Sequence, residues 1–136
     1  MATEFTVVPD AKDLAALKRK LGPDLYRAAV ADFLTTAALK GEGYVKQGEP
    51  SVTGNLRRST QSDVRSVNDA RAPESRVVVG AVYGDWIETG ETASGRKMLT
   101  RPGGYRMVEN ADRKIEGETD HLLDVAARKI EERWAE

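Results

Sequence analysis

The sequence predicts an α+β fold, an antiparallel sheet packed by N-terminal helices and a long C-terminal helix. Three observations lead there. Apolar residues recur at helical spacing towards both ends of the chain, and a β-branched run, Val77-Val78-Val79, occupies the middle. The length of 136 residues suffices for one hydrophobic core but not for two, so a single domain over residues 1–136 is expected.

Taking the elements in order, Pro9 and Asp10 open a first helix, in which Leu14, Leu17 and Leu21 share a face and Gly22 supplies the left-handed stop. Pro23 then starts a longer helix. Its apolar stripe runs through Leu25 or Tyr26, Ala29, Phe33, Ala37 and Tyr44, with Arg27, Asp32 and Lys40 facing away, and Gly41 and Gly43 weaken its last turns. Residues 48–59 form a turn, and two strands follow at 60–67 and 75–83, joined by a polar connection at 68–74. In the second strand Val77, Val79 and Ala81 occupy one face and Val78, Gly80 and Val82 the other, which predicts a central strand buried on both sides. Residues 89–104, rich in Gly, Thr and Ser and without a sustained period, read as a long surface loop. Residues 105–134 read as helix, with Val108, Ala111, Ile115, Leu122, Ala126 and Ile130 on one side. A break at Gly117 is left open.

Composition narrows the function classes. A formal net charge of -1 gives no overall basic field to draw the chain to nucleic acid. The absence of cysteine removes disulfides, thiolate metal sites and cysteine nucleophiles. No run of ~20 apolar residues suggests a membrane span, and the first nine residues lack the pattern of a secretion signal. The expectation is a protein made and used inside a cell, or built into a particle there.

Each enzymatic constellation lacks a part. His121 stands beside Asp120 and Asp124 in the last helix, but no serine or cysteine motif would use it as a base. Asp85 and Glu88 are spaced as acids on an ordinary solvated helical turn. Gly80, Gly84 and Gly90 match neither the dinucleotide fingerprint nor the phosphate loop with its lysine. With one histidine and no thiolate, a metal centre has no ligand set. The chain is therefore expected to be no enzyme and to need no cofactor, with no catalytic, cofactor-binding or metal-binding residues.

Two segments stand outside any periodicity: Thr53-Gly54-Asn55-Leu56-Arg57-Arg58-Ser59 and Tyr83-Gly84-Asp85-Trp86-Ile87-Glu88-Thr89-Gly90. Each sets large or charged side chains beside a glycine able to take positive φ, as an assembly surface requires. Two plainer roles stay open. Thr53 and Ser59 are suited to capping a short helix that starts near Gly54, and Tyr83, Trp86 and Ile87 to closing the core over the last helix. Glu88 would then bond loop backbone or an arginine such as Arg101.

In order, Pro50, the Thr-Gly-x-Leu-Arg-x-Ser segment, the valine strand, Tyr83, Trp86, Glu88, Gly90 and Arg101-Pro102 before a final helix resemble the minor neck and tail-completion proteins of long-tailed bacteriophages. These are the head-to-tail joining proteins of lambda-like and related siphoviruses. Val52 stands where the family usually has an acidic residue, and Gly103 and Gly104 separate Arg101-Pro102 from Tyr105. The resemblance implies a small α+β structural subunit of the virion, assembled in the host cytoplasm into a homo-oligomeric ring at the head-to-tail junction. Other connector and tail proteins would be its neighbours: a head-completion or stopper protein, a tail terminator and the tail tube. DNA would pass through the channel without sequence-specific binding.

Residues Thr53, Gly54, Leu56, Arg57, Arg58, Ser59, Tyr83, Trp86, Glu88, Gly90, Arg101 and Pro102 would form the interface. A head-to-tail ring contact joins unlike patches, and protruding apolar anchors and arginines suit it. The loop at 89–104 is expected to be poorly ordered in the free subunit and ordered in the ring. The alternative is a small nucleic-acid-binding module using the central arginines Arg57, Arg58 and Arg65. The segment from Gly54 to Arg101 carries eight basic and six acidic residues, a weak footprint for that role.

Overall fold

The computed structural model describes residues 3–50, 55–69, 71–80, 84–91 and 103–135. Strand β1 (Thr3–Val7) leads into α1 (Ala11–Leu21) and α2 (Leu25–Gly48). A short helix α3 (Asn55–Ser59) runs directly into β2 (Thr60–Asp63); β3 (Ser75–Val79), α4 (Gly84–Thr89) and α5 (Met107–Ala135) complete the order. The fold is α+β, as the periodicities predict.

Local signals set the first helix. The Asp10 side chain accepts from the Lys12 amide at 3.0 Å, and Gly22, at φ 85°, turns the chain out while its amide donates to the Lys18 carbonyl. Helix α2 then runs unbroken through both Gly41 and Gly43. At Gly41 the reason is close approach: a Cβ there would lie 2.5 Å from the Phe5 ring and 3.0 Å from a Val77 methyl. The missing side chain brings α2 down onto the sheet.

The sheet has the order β1-β3-β2 with both pairings antiparallel, and Val79 faces Thr3 on one side and Thr60 on the other. The strand carrying the valine run is therefore central. It is not buried on both faces, however. Phe5, Val7, Val77, Val79 and Thr60 are buried, whereas Glu4 and Gln61 are exposed and Arg76 and Val78 half-exposed on the opposite face. The helices that pack on the sheet cover one side of it, giving two layers, one of helix and one of sheet. Strand β1 was not anticipated by the sequence reading, although Phe5 and Val7 alternate with Glu4 and Thr6.

Strand β2 is shorter than expected. The Asp63 carboxylate accepts from the Arg65 amide at 3.1 Å and from the Arg65 guanidinium at 2.8 and 3.0 Å, which starts a turn and folds Val67 back into the core. Strand β3 ends at Val79, and residues 81–83 of the longer expected strand lie outside the described residues.

Helices α2 and α5 form the main packed layer, with Phe33, Leu34, Ala37 and Val45 buried alongside Ile115, Leu122, Ala126 and Ile130. Helix α5 passes through Gly117 without a break. A polar clasp locks the pair: Tyr44 donates to Glu118 at 2.6 Å, Lys40 pairs with the other carboxylate oxygen at 3.1 Å, and Lys114 lies over the Tyr44 ring. The Tyr44 hydrogen bond and the Lys40 charge hold the Glu118 carboxyl below its ordinary value. Among the described residues no helix is long and apolar enough to cross a membrane.

Candidate assembly surface

The two segments singled out in the sequence meet at one end of the sheet. Helix α3 delivers Ser59, whose carbonyl accepts from the Gly80 amide at 2.9 Å, just beyond the row Thr3, Val79 and Thr60. Helix α4 begins on the same row. A Cβ at Gly84 would lie 3.2 Å from a Val79 methyl and 3.3 Å from the Thr3 hydroxyl, so α4 sits directly over the ends of β1 and β3.

The second segment divides its residues between inward and outward tasks. Ile87 is 9% exposed and belongs to the core. Glu88 turns towards α5, where its Oε1 accepts from the Val108 amide at 2.8 Å and its Oε2 from the Glu109 amide at 2.9 Å. Those amides belong to the first turn of the helix and have no partner within it. A carboxylate there satisfies two of them and opposes the positive end of the helix dipole. Glu88 is thus a capping residue acting from about twenty positions upstream on helix backbone, and the pairing with Arg101 lies outside the described residues.

Backbone contacts tighten the same corner. The Tyr105 amide donates to the Ile87 carbonyl at 2.8 Å, the Arg106 amide to the Glu88 carbonyl at 3.1 Å, and the Gly90 amide to the Trp86 carbonyl at 2.7 Å. Gly90 and Gly104, at φ 76° and 74°, face each other. A Cβ on Gly90 would lie 2.6 Å from the Gly104 nitrogen, and one on Gly104 would collide with the Glu88 carbonyl oxygen. No other residue fits either position without moving backbone. Gly90 and Glu88 therefore build the corner from within.

What remains directed outward is Trp86, 38% exposed, together with Arg57 and Arg58 of α3. Leu56 contributes backbone to α3, and Thr53, Gly54, Tyr83, Arg101 and Pro102 lie outside the described residues, as do residues 92–102 of the expected loop. A short helix does start at Asn55, next to the expected Gly54, and the capping role of Thr53 lies outside the described residues.

Close to Arg57 of α3 lies a group that no local pattern reveals. Glu49, at the end of α2, is 5% exposed; its Oε2 accepts from the Thr60 hydroxyl at 2.7 Å, and its Oε1 has no hydrogen-bond partner. Burial raises its pKa, with the Thr60 hydrogen bond and the Arg57 charge opposing. A polar residue next to a proline reads as surface loop; only the approach of β2 buries it.

Two further arginines are engaged within the subunit. Arg65 pairs with Asp63 at 2.8 Å and holds that carboxyl down to about 2, and Arg76 pairs with Glu74 at 2.7 Å. His121 is exposed on α5, and among the described residues no three His, Cys, Asp or Glu side chains gather as a metal site would require. The arrangement offers apolar and cationic contacts. Comparison of the chain with protein-family models, with curated proteins and with solved structures gives no match in any of the three.

Proposed function

We propose that the protein is a structural, non-enzymatic subunit of a bacteriophage head-to-tail connector, a neck or tail-completion protein that forms an oligomeric ring around the DNA channel of the virion. One observation carries this reading: the two motif segments converge at one end of the sheet, where Glu88, Gly90 and Gly104 fix a rigid corner that leaves Trp86, Arg57 and Arg58 facing outward. An exposed aromatic and exposed guanidinium groups at the same end of the sheet have the composition of an interface anchor, and Arg57 meets carboxylates of the next subunit. The pairing of Arg65 with Asp63 and of Arg76 with Glu74 weakens the electrostatic footprint that nucleic-acid binding would need.

The test is the mass of the purified protein, alone and with tail-tube protein, together with electron microscopy of any assembly. Closed rings of several subunits are expected. A monomer under both conditions, or DNA affinity that falls steeply with salt, overturns the reading.

A further inference from the structure

A cavity of about 290 Å³ lies where α1, the first turns of α2 and the turn that follows β2 come together. Its floor belongs to the core: Val30 and Val67 are buried, and Leu14 and Tyr26 are half-buried and pack against the same cluster. Its rim carries two exposed arginines, Arg27 from α2 and Arg71 from the turn. The volume is at the lower bound of the ~300–1,000 Å³ typical of small-molecule sites.

The cavity holds donors without acceptors. Arg65 and Arg76 each grip a carboxylate, at 2.8 and 2.7 Å, whereas among the described residues no carboxylate lies within ion-pair distance of Arg27 or Arg71, and the Tyr26 hydroxyl has no hydrogen-bond partner. Lys18, 5.6 Å from the centre of the Tyr26 ring, adds a third cation beside it. The carboxylate in the lining belongs to Asp69, whose Oδ1 accepts from the Arg71 and Ala72 amides at 2.8 and 3.1 Å. Those bonds close the turn and fix the backbone that carries Arg71. Two arginines against one aspartate leave the lining with one net positive charge.

A single exposed arginine is ordinary on a surface. Two of them, brought from segments distant in sequence to the mouth of one apolar cavity and left without a carboxylate, form an anion-binding arrangement over a hydrophobic floor. Guanidinium forks match the two oxygens of a carboxylate, and charge-assisted hydrogen bonds of that kind are about twice as strong as neutral ones.

We propose that this cavity binds a small monoanion with an apolar body, of the class of an aryl carboxylate. The body rests on Leu14, Tyr26, Val30 and Val67, where it leaves water, and the carboxylate accepts hydrogen bonds from Arg27 and Arg71. Neither arginine belongs to the assembly surface, so the site stands or falls separately from the ring reading.

The experiment titrates the full chain with naphthalene-2-carboxylate, with its neutral carboxamide and with inorganic phosphate, following backbone amide shifts by NMR and heat by calorimetry. The carboxylate should bind saturably with a dissociation constant at or below about 1 mM, moving the amides of Tyr26, Arg27, Val67 and Arg71 first. The carboxamide should bind at least about tenfold more weakly, and phosphate, which has no body to bury, at least as weakly as the carboxamide. Arg27→Gln and Arg71→Gln, both at exposed positions and checked by melting, should each weaken the carboxylate about fivefold or more while leaving the carboxamide unchanged.

The comparison of carboxylate with carboxamide on the unaltered chain needs no variant to fold. Equal affinity for the two would show an apolar hollow with idle arginines and overturn the proposal. So would phosphate binding as tightly as the carboxylate, shifts centred away from the cavity, or no saturable response up to about 10 mM.

Discussion

The α2–α5 layer and the α4 corner are held by opposite strategies. In the layer, Phe33, Leu34, Ala37, Val45, Ile115 and Ala126 share the load through many dispersed apolar contacts, and glycine at position 117 has open space around it. In the corner, besides the buried Ile87, directional groups do the holding: two carboxylate oxygens on two amides, three backbone hydrogen bonds, and two glycines in positive φ with no room for a Cβ. Dispersed packing loses stability in proportion to what is removed, whereas a directional corner fails at single atoms. That rigidity suits a segment whose task is to hold an aromatic group at a fixed angle.

Substitutions test this contrast. The largest loss is expected for Phe33→Ala at the centre of the layer, about 3–5 kcal/mol in urea denaturation, because a fully buried ring leaves a cavity. A loss below about 1 kcal/mol would mean that the layer is not the main source of stability.

Next comes Gly104→Ala in the corner, at about 2–3 kcal/mol for one added methyl, since it imposes both a disfavoured φ and a backbone collision. The matched substitution Gly117→Ala, in an exposed turn of α5, should instead stabilise by about 0.5–1 kcal/mol. If the two glycines respond alike, the distinction between the regions is lost.

Glu88→Ala should cost about 1–2 kcal/mol and speed amide hydrogen exchange at Val108 and Glu109 ahead of the rest of α5. Uniform exchange along the helix would show that the cap does not fix its start.

The smallest effect is a dependence on pH. Because burial raises the folded-state pKa of Glu49 above its ordinary value of 4.5, its contribution to stability is intact below that value and is lost as pH rises through the folded-state pKa. Glu49→Gln keeps an acceptor for Thr60 without the buried charge. The variant should therefore melt above the wild type at pH 7, with the advantage vanishing below about pH 4. An advantage that grows on acidification would contradict the burial argument.

Much of the fold was legible because its signals act within one turn of chain. The Asp10 cap, the Gly22 stop, the apolar stripes of α2 and α5 and the valine run of the central strand each depend on neighbours a few residues away. The candidate surface was legible only as segments. Glycine beside Trp86 and the paired arginines marked both, but the division of labour inside the second segment was not written locally. Locally Glu88 reads as an interface residue or a group bonding nearby loop backbone, and its partners are the amides of Val108 and Glu109, about twenty residues on.

Sequence patterning therefore settled the three long helices, the central strand and where the unusual segments lie, but not α4, since periodicity and capping are short-range properties of the backbone. Tertiary structure alone decided that β1 would pair with β3, that Gly41 would let α2 settle onto Phe5, that Gly90 would face Gly104, that Glu49 would be buried, and that Arg27 and Arg71 would share one cavity. Each of those depends on groups distant in sequence that meet only when the chain closes, and no local preference encodes such a meeting.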